Sequence, residues 1–115
     1  MTDKQGGELL PGTFDMLLLK ALSLGPMHGW GVAQRIEALS GGVFAIQQGA
    51  VYPALQRLKG RGLVAAEWRD SENNRRARYY RLTATGHRAL DSETAWWRRA
   101  IGGVERVLRA TPQEG

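Results

Sequence analysis

Residues 48–64 read QGAVYPALQRLKGRGLV. Val51, Leu55 and Leu58 recur at the spacing of one helical face, and Gly60 and Gly62 close the segment before Leu63 and Val64. With about 100° of rotation per residue, that apolar stripe leaves Gly49, Pro53, Gln56, Arg57 and Gly60 on the opposite side. The outward face is therefore thin and polar. Glutamine can pair bidentately with adenine, and arginine can reach guanine or a phosphate. The helix start at Gln47, Gln48 and Gly49 offers unpaired backbone N–H groups to phosphates. Tyr52 flanks this face, with two readings open: its hydroxyl meets a phosphate, or its ring packs between helices. Pro53 has no N–H to give to the carbonyl four residues back, and that residue is Gly49, the type best able to absorb the strain.

Two helical patterns precede this one. Phe14, Leu17, Leu18, Ala21 and Leu22 form a stripe, with Thr13 placed to cap it and Asp15 in the first turn, where the helix dipole favours a carboxylate. Gly25 and Pro26 break it. Val32, Ala33, Ile36 and Leu39 form the second stripe, which ends at Gly41 and Gly42. His28 and Trp30 open this helix, either as phosphate contacts or as turn anchors. Three short helices joined by glycine-containing turns are what a helix-turn-helix domain requires.

After Gly62 the period changes to two. Val64, Ala66 and Trp68 alternate with Ala65, Glu67 and Arg69, and Arg76, Arg78, Tyr80 and Leu82 alternate in the same way across the turn-forming DSENN at 70–74. This is a hairpin, with Trp68 and Tyr80 expected to pack it onto the helices. Arg75, Arg76 and Arg78 suit a wing lying along a DNA backbone or in the minor groove; a solvated strand face competes with that reading.

Thr83 is placed to cap a last helix reaching about Arg109. Leu90, Thr94, Trp97, Ile101, Val104 and Leu108 repeat at alternating spacings of four and three, a heptad seam with one polar position. Trp96, Ala100 and Val107 widen it beyond what one small domain can cover. The expected partner is the same helix of a second copy, with Phe14 and Leu17 of the first helix joining the interface. Gly102 and Gly103 each cost about 1 kcal/mol relative to alanine in a helix interior, and close approach of two backbones or a kink would account for them. The chain thus divides into a flexible arm at 1–11, a DNA-binding domain at 12–83, a dimerisation helix at 84–109 and a tail at 110–115.

Composition narrows the function. The 115 residues carry a net charge of +5 and no cysteine. Nine basic residues face three acidic ones between Gln47 and Arg88, so a net +6 sits in that segment. A local basic field of this kind attracts polyanions through counterion release. His28 and His87 are far apart and fit no metal-ligand spacing, and nothing assembles a nucleophile with a base and an orienter. No enzyme activity, metal or cofactor is expected. No run has the length of a signal peptide or a membrane span, so a cytoplasmic protein without membrane contact is expected.

PGTFDMLLLKAL (11–22), GPMHGWGVAQRI (25–36), QGAVYPALQRLKGRGLV (48–64) and RRARYYRLTATGHRAL (75–90), in that order and spacing, resemble the PadR family of bacterial transcriptional regulators. The resemblance spans about residues 11–90, and the single helix after it is similar to the shorter branch of that family. It implies a mainly α fold with a small β-hairpin: a winged helix-turn-helix domain with a C-terminal dimerisation helix. It further implies a homodimeric repressor on a pseudo-palindromic operator in double-stranded DNA. Family members respond to small molecules, so a small planar hydrophobic ligand near Trp96 and Trp97 is one implication; two tryptophans filling the dimer core is the other. Trp30 stands where many relatives have tyrosine, which removes a hydroxyl, and Gln47 and Gln48 replace a frequent serine. The alternative function is a winged-helix protein-interaction module without specific DNA binding.

Overall fold

The computed structural model describes residues 12–70, 73 and 75–113. The expected arm at 1–11 lies outside them. Four helices and three short strands follow in the order α1 (Thr13–Ser23), β1 (Met27–His28), α2 (Gly29–Leu39), α3 (Gln48–Gly60), β2 (Val64–Asp70), β3 (Arg76–Leu82) and α4 (Ala84–Leu108). The fold is a winged helix-turn-helix with a long C-terminal helix.

The first three helices enclose one apolar core. Leu18, Leu19 and Leu22 of α1, Val32 and Ile36 of α2, and Val51, Leu55 and Leu58 of α3 are buried together with Val64, Tyr80 and Leu82 of the strands. The α3 stripe is the one inferred from its spacing, with Ala54 added. In α1 the buried face is rotated from the expected one: Met16 and Leu19 are inside, whereas Phe14 and Leu17 are half-buried and pack at its margin. Thr13 is not the cap. Gly12 takes that position at φ 88°, a left-handed conformation that side chains resist, and Thr13 turns into the core as the first helical residue. In α2, Leu39 is 64% exposed, because the helix ends there and the chain leaves the core through Ser40 and Gly41.

The strands form a sheet in the order β1-β3-β2, antiparallel throughout. The hairpin register pairs Val64 with Leu82, Ala66 with Tyr80 and Trp68 with Arg78. Sequence periodicity does not reveal β1, whose two residues are too few to alternate; Met27 and His28 pair with Tyr80 and Tyr79. This makes β3 the central strand. The core-facing side runs Val64, Tyr80, Leu82 at the helical end and continues through Trp68, Arg78 and Arg76 towards the tip. Trp68 therefore does not pack the hairpin onto the helices: it is 55% exposed, because the strands outrun the core.

A tight junction joins the wing to α4. Thr83 is the N-cap, and its Oγ1 accepts from the Gly86 amide at 3.0 Å while donating to the Gly62 carbonyl at 2.7 Å. The Thr83 amide donates to the Leu63 carbonyl at 3.1 Å. Gly62 turns at φ 77°, as the chain must to leave α3 for β2. Gly86 lies directly on the Leu63 carbonyl, where no Cβ fits; one would also come within 2.7 Å of Leu82 Cδ1. Beyond this junction α4 loses cover. Only Gly86 and Leu90 of α4 are buried, Trp97 packs against the core margin, and Leu108 is 73% exposed.

Gly86→Ala should cost about 2–3 kcal/mol by forced overpacking against backbone, and Thr83→Ala about 1 kcal/mol through loss of the cap, both measured as urea-unfolding free energies.

Candidate nucleic-acid interface

α3 begins at Gln48 with Gln47 as N-cap, and the Gln47 side chain makes no capping bond. The first-turn amides are thus not closed by that side chain, which follows from having glutamine where serine would cap. Along the helix, Gln47, Gln48, Gly49, Tyr52, Pro53, Gln56 and Arg57 are all exposed, opposite the buried Val51, Leu55 and Leu58. The outward face is the one read from the sequence.

Two of these residues are held by neighbours on other helices. Tyr52 lies across the start of α2, so close to Gly29 that a Cβ there would come within 2.6 Å of Tyr52 Cε1. Tyr52 is nevertheless 43% exposed, so the side chain packs against α2 on one side and stays open to solvent on the other. Arg57 is fixed from α1: its Nη2 donates to Asp15 Oδ1 at 2.6 Å. Sequence reasoning assigned Asp15 only to the helix dipole. The pairing joins residues 42 apart and leaves no mark in any local pattern.

At the α2 start, His28 is a turn anchor. It is the N-cap, its Nδ1 accepting from the Gly31 amide at 3.0 Å, and its ring meets Tyr79 edge-on at 5.7 Å. Trp30 remains partly exposed. Arg35 bonds the carbonyls of Ala21 and Gly25 at 2.8 and 3.0 Å, tying the end of α1 to α2.

The wing interleaves arginines with aromatic rings. The guanidinium carbons of Arg76 and Arg78 lie 5.7 and 5.5 Å from the centre of the Trp68 ring. On the other side of the sheet, Arg69 lies 5.2 Å from the centre of the Tyr79 ring and also pairs with Glu67. Arg75 is exposed just before β3. Burial pushes the Tyr80 phenol above its ordinary pKa, the Arg78 charge partly opposes this, and Tyr52 adds to the rise. Tyr80 is therefore a neutral core residue.

The apolar seam of α4 lies on a different part of the molecule. An open groove of about 640 Å³ runs between α1 and α4, lined by Met16, Leu17, Phe44, Leu90, Thr94 and Trp97 among others. Trp97 lines it. Trp96 does not; it is 59% exposed, with Arg99 5.3 Å from its ring centre. Phe14, Ile101, Val104 and Leu108 complete a partly or fully exposed apolar face. No group of acidic and histidine side chains among the described residues could hold a metal ion, and no helix among them is long and apolar enough to cross a membrane.

Residues 18–92 match the sequence model of the Transcriptional regulator PadR-like family. The chain belongs to the PadR-like family. It is accordingly related to transcriptional regulators rather than to enzymes. A PadR family transcriptional regulator from Eggerthella lenta has a crystal structure that superimposes with a TM-score of 0.74 at 31% identity, covering 87% of this chain and 85% of that one. Bacillus subtilis PadR, solved in complex with operator DNA, shares the fold with a TM-score of 0.63 at 18% identity, over 71% of this chain and 46% of that one. A 37.1 kDa protein of a Streptomyces fradiae transposon is 37% identical over 89 residues. That match takes in 77% of this chain but only 24% of the Streptomyces protein, so the chain spans about a quarter of that relative.

The Asp15–Arg57 pair is solvent-exposed on the arginine side, and screening keeps such pairs weak. Asp15→Asn and Arg57→Gln should therefore each change the unfolding free energy by less than about 1 kcal/mol, as read by urea denaturation.

Proposed function

We propose that this PadR-like chain is a sequence-specific DNA-binding regulator, a homodimeric cytoplasmic repressor that reads a pseudo-palindromic operator with α3 and the wing. The observation that carries this reading is the division of α3. Val51, Leu55 and Leu58 are wholly buried while Gly49, Pro53, Gln56 and Arg57 stand outside. A helix this thin on its outer side can sit deep in a major groove, with Gln56 and Arg57 towards base edges or phosphate. Gln47, Gln48 and Gly49 put backbone N–H groups at its entrance, and Tyr52 its partly exposed ring and hydroxyl. Arg75, Arg76 and Arg78 then follow the backbone beside it. The operator complex of Bacillus subtilis PadR supports this use of the fold.

The dimer rests on α4. Ile101, Val104 and Leu108 continue the seam after the chain's own core has ended, Leu17, Leu90 and Trp97 line the groove at its root, and Phe14 stands half-buried at the core margin. A second copy of α4 is the partner such a stripe fits. On this reading 12–83 is the DNA-binding domain, 84–109 the dimerisation helix, 1–11 an arm and 110–115 a tail. The groove beside Trp97 suits a small planar hydrophobic effector that would release the operator by shifting the two copies. Trp96 would reach such a ligand only across the dimer.

Two measurements test the reading. Binding of random duplex DNA should weaken steeply with salt, because each phosphate contact releases counterion; a protein that ignores DNA at low salt is an interaction module instead. Val104→Asp places a charge on a site already open in the single chain. It should leave the melting temperature of the fold nearly unchanged, yet convert a sedimenting dimer to monomer and lower DNA affinity at least about tenfold, since two linked half-sites bind far better than one.

A further inference from the structure

The Trp68 indole has no core to fill. It stands on the core-facing side of β2, more than half exposed, directly opposite Arg78 in the ladder, with Arg76 at the diagonal position. Both guanidinium groups lie within 6 Å of its ring centre, at 5.7 and 5.5 Å. That is the range in which the negative face of an indole attracts a cation. The Arg78 Nε is covered and has no hydrogen-bond partner. Among the described residues no carboxylate pairs with Arg76 or Arg78; the ion pairs there engage Arg57, Arg69 and Arg109. Two like charges are thus gathered on one ring, and Asp70, the ladder partner of Arg76, forms no ion pair with either of them.

From this arrangement we propose that Trp68 is a positioning residue of the DNA interface, holding Arg76 and Arg78 as a preset clamp on the DNA phosphate backbone. The inference rests on the DNA-binding reading above and deepens it. A free arginine side chain loses much rotational freedom when it binds phosphate. An arginine already laid on an aromatic ring has lost part of that freedom, while the edge of its guanidinium, where the N–H donors point, remains available. A backbone phosphate offers several acceptor oxygens, carries a negative charge, and occurs at every step of any duplex. The clamp therefore strengthens binding without selecting sequence.

The test is a titration of the full chain with fluorescently labelled random duplex DNA between about 50 and 200 mM salt. Trp68→Ala should lose about fivefold in affinity at every salt concentration, the scale of a partly solvated cation–π contact. The salt slope should not change, because every cation is still present. Trp68→Phe should recover to within about twofold of the parent, since a phenyl ring can still carry both guanidinium groups. R76Q/R78Q should flatten the logarithmic salt slope by about two, and adding Trp68→Ala to it should change nothing further. Because Trp68 is exposed, the melting temperature of Trp68→Ala should stay within a few degrees of the parent. The inference is overturned if Trp68→Ala binds like the parent, if Trp68→Phe is as weak as Trp68→Ala, or if the alanine loss persists without the arginines. A parent protein that fails to bind at low salt removes the DNA reading itself, and the clamp with it.

Discussion

The contact of Gly86 with the Leu63 carbonyl governs how the two halves of this molecule relate. A carbonyl already engaged by the Thr83 amide is met by a bare Cα, and Thr83 bridges the same spot to Gly62 with its hydroxyl. Nothing larger than hydrogen fits, so the first turn of α4 has one seat. That seat lies at the end of α3, and therefore relates the long helix to α3 through a few short bonds. In a dimer built on α4, the separation and tilt of the two copies of α3 would follow from this junction, and half-site spacing on DNA is set by such geometry.

α1 connects the other parts. Its inner side supplies Leu18, Leu19 and Leu22 to the core. Met16 and Leu17 line the groove facing α4, and Asp15 holds Arg57 on α3. One short helix thus touches the core, the groove beside α4 and the exposed face of α3, with Arg35 anchoring its far end. A ligand or a partner entering the groove would press on the element that orients Arg57.

Much of this was legible in the sequence because periodicity reports burial. The α3 stripe, the period-two wing and the Thr83 cap rest on local rules, and the structure has each where the spacing predicts it. The rotated face of α1 was not legible, because nearly every residue from Phe14 to Leu22 is apolar and several stripes fit equally well. The Gly12 cap was hidden by a threonine of the preferred capping type beside it. β1 was too short to alternate. Asp15–Arg57 and the Trp68 cluster depend on where elements meet: the first spans most of the domain, and the second requires knowing that the strands extend past the core.

The β3 strand joins core and surface on one parity. Tyr80 and Leu82 face inward for the same reason that Arg76 and Arg78 face the indole, since all four occupy alternate positions of one strand. A slip of one residue would bury Arg81 and Tyr79 in place of Leu82 and Tyr80 and turn the wing's cations to the opposite side. Diversification of the wing is thereby channelled. Side chains can be exchanged in place and the connection after Asp70 can change in length, but a single insertion or deletion inside β3 would sacrifice the hydrophobic core and the basic surface together.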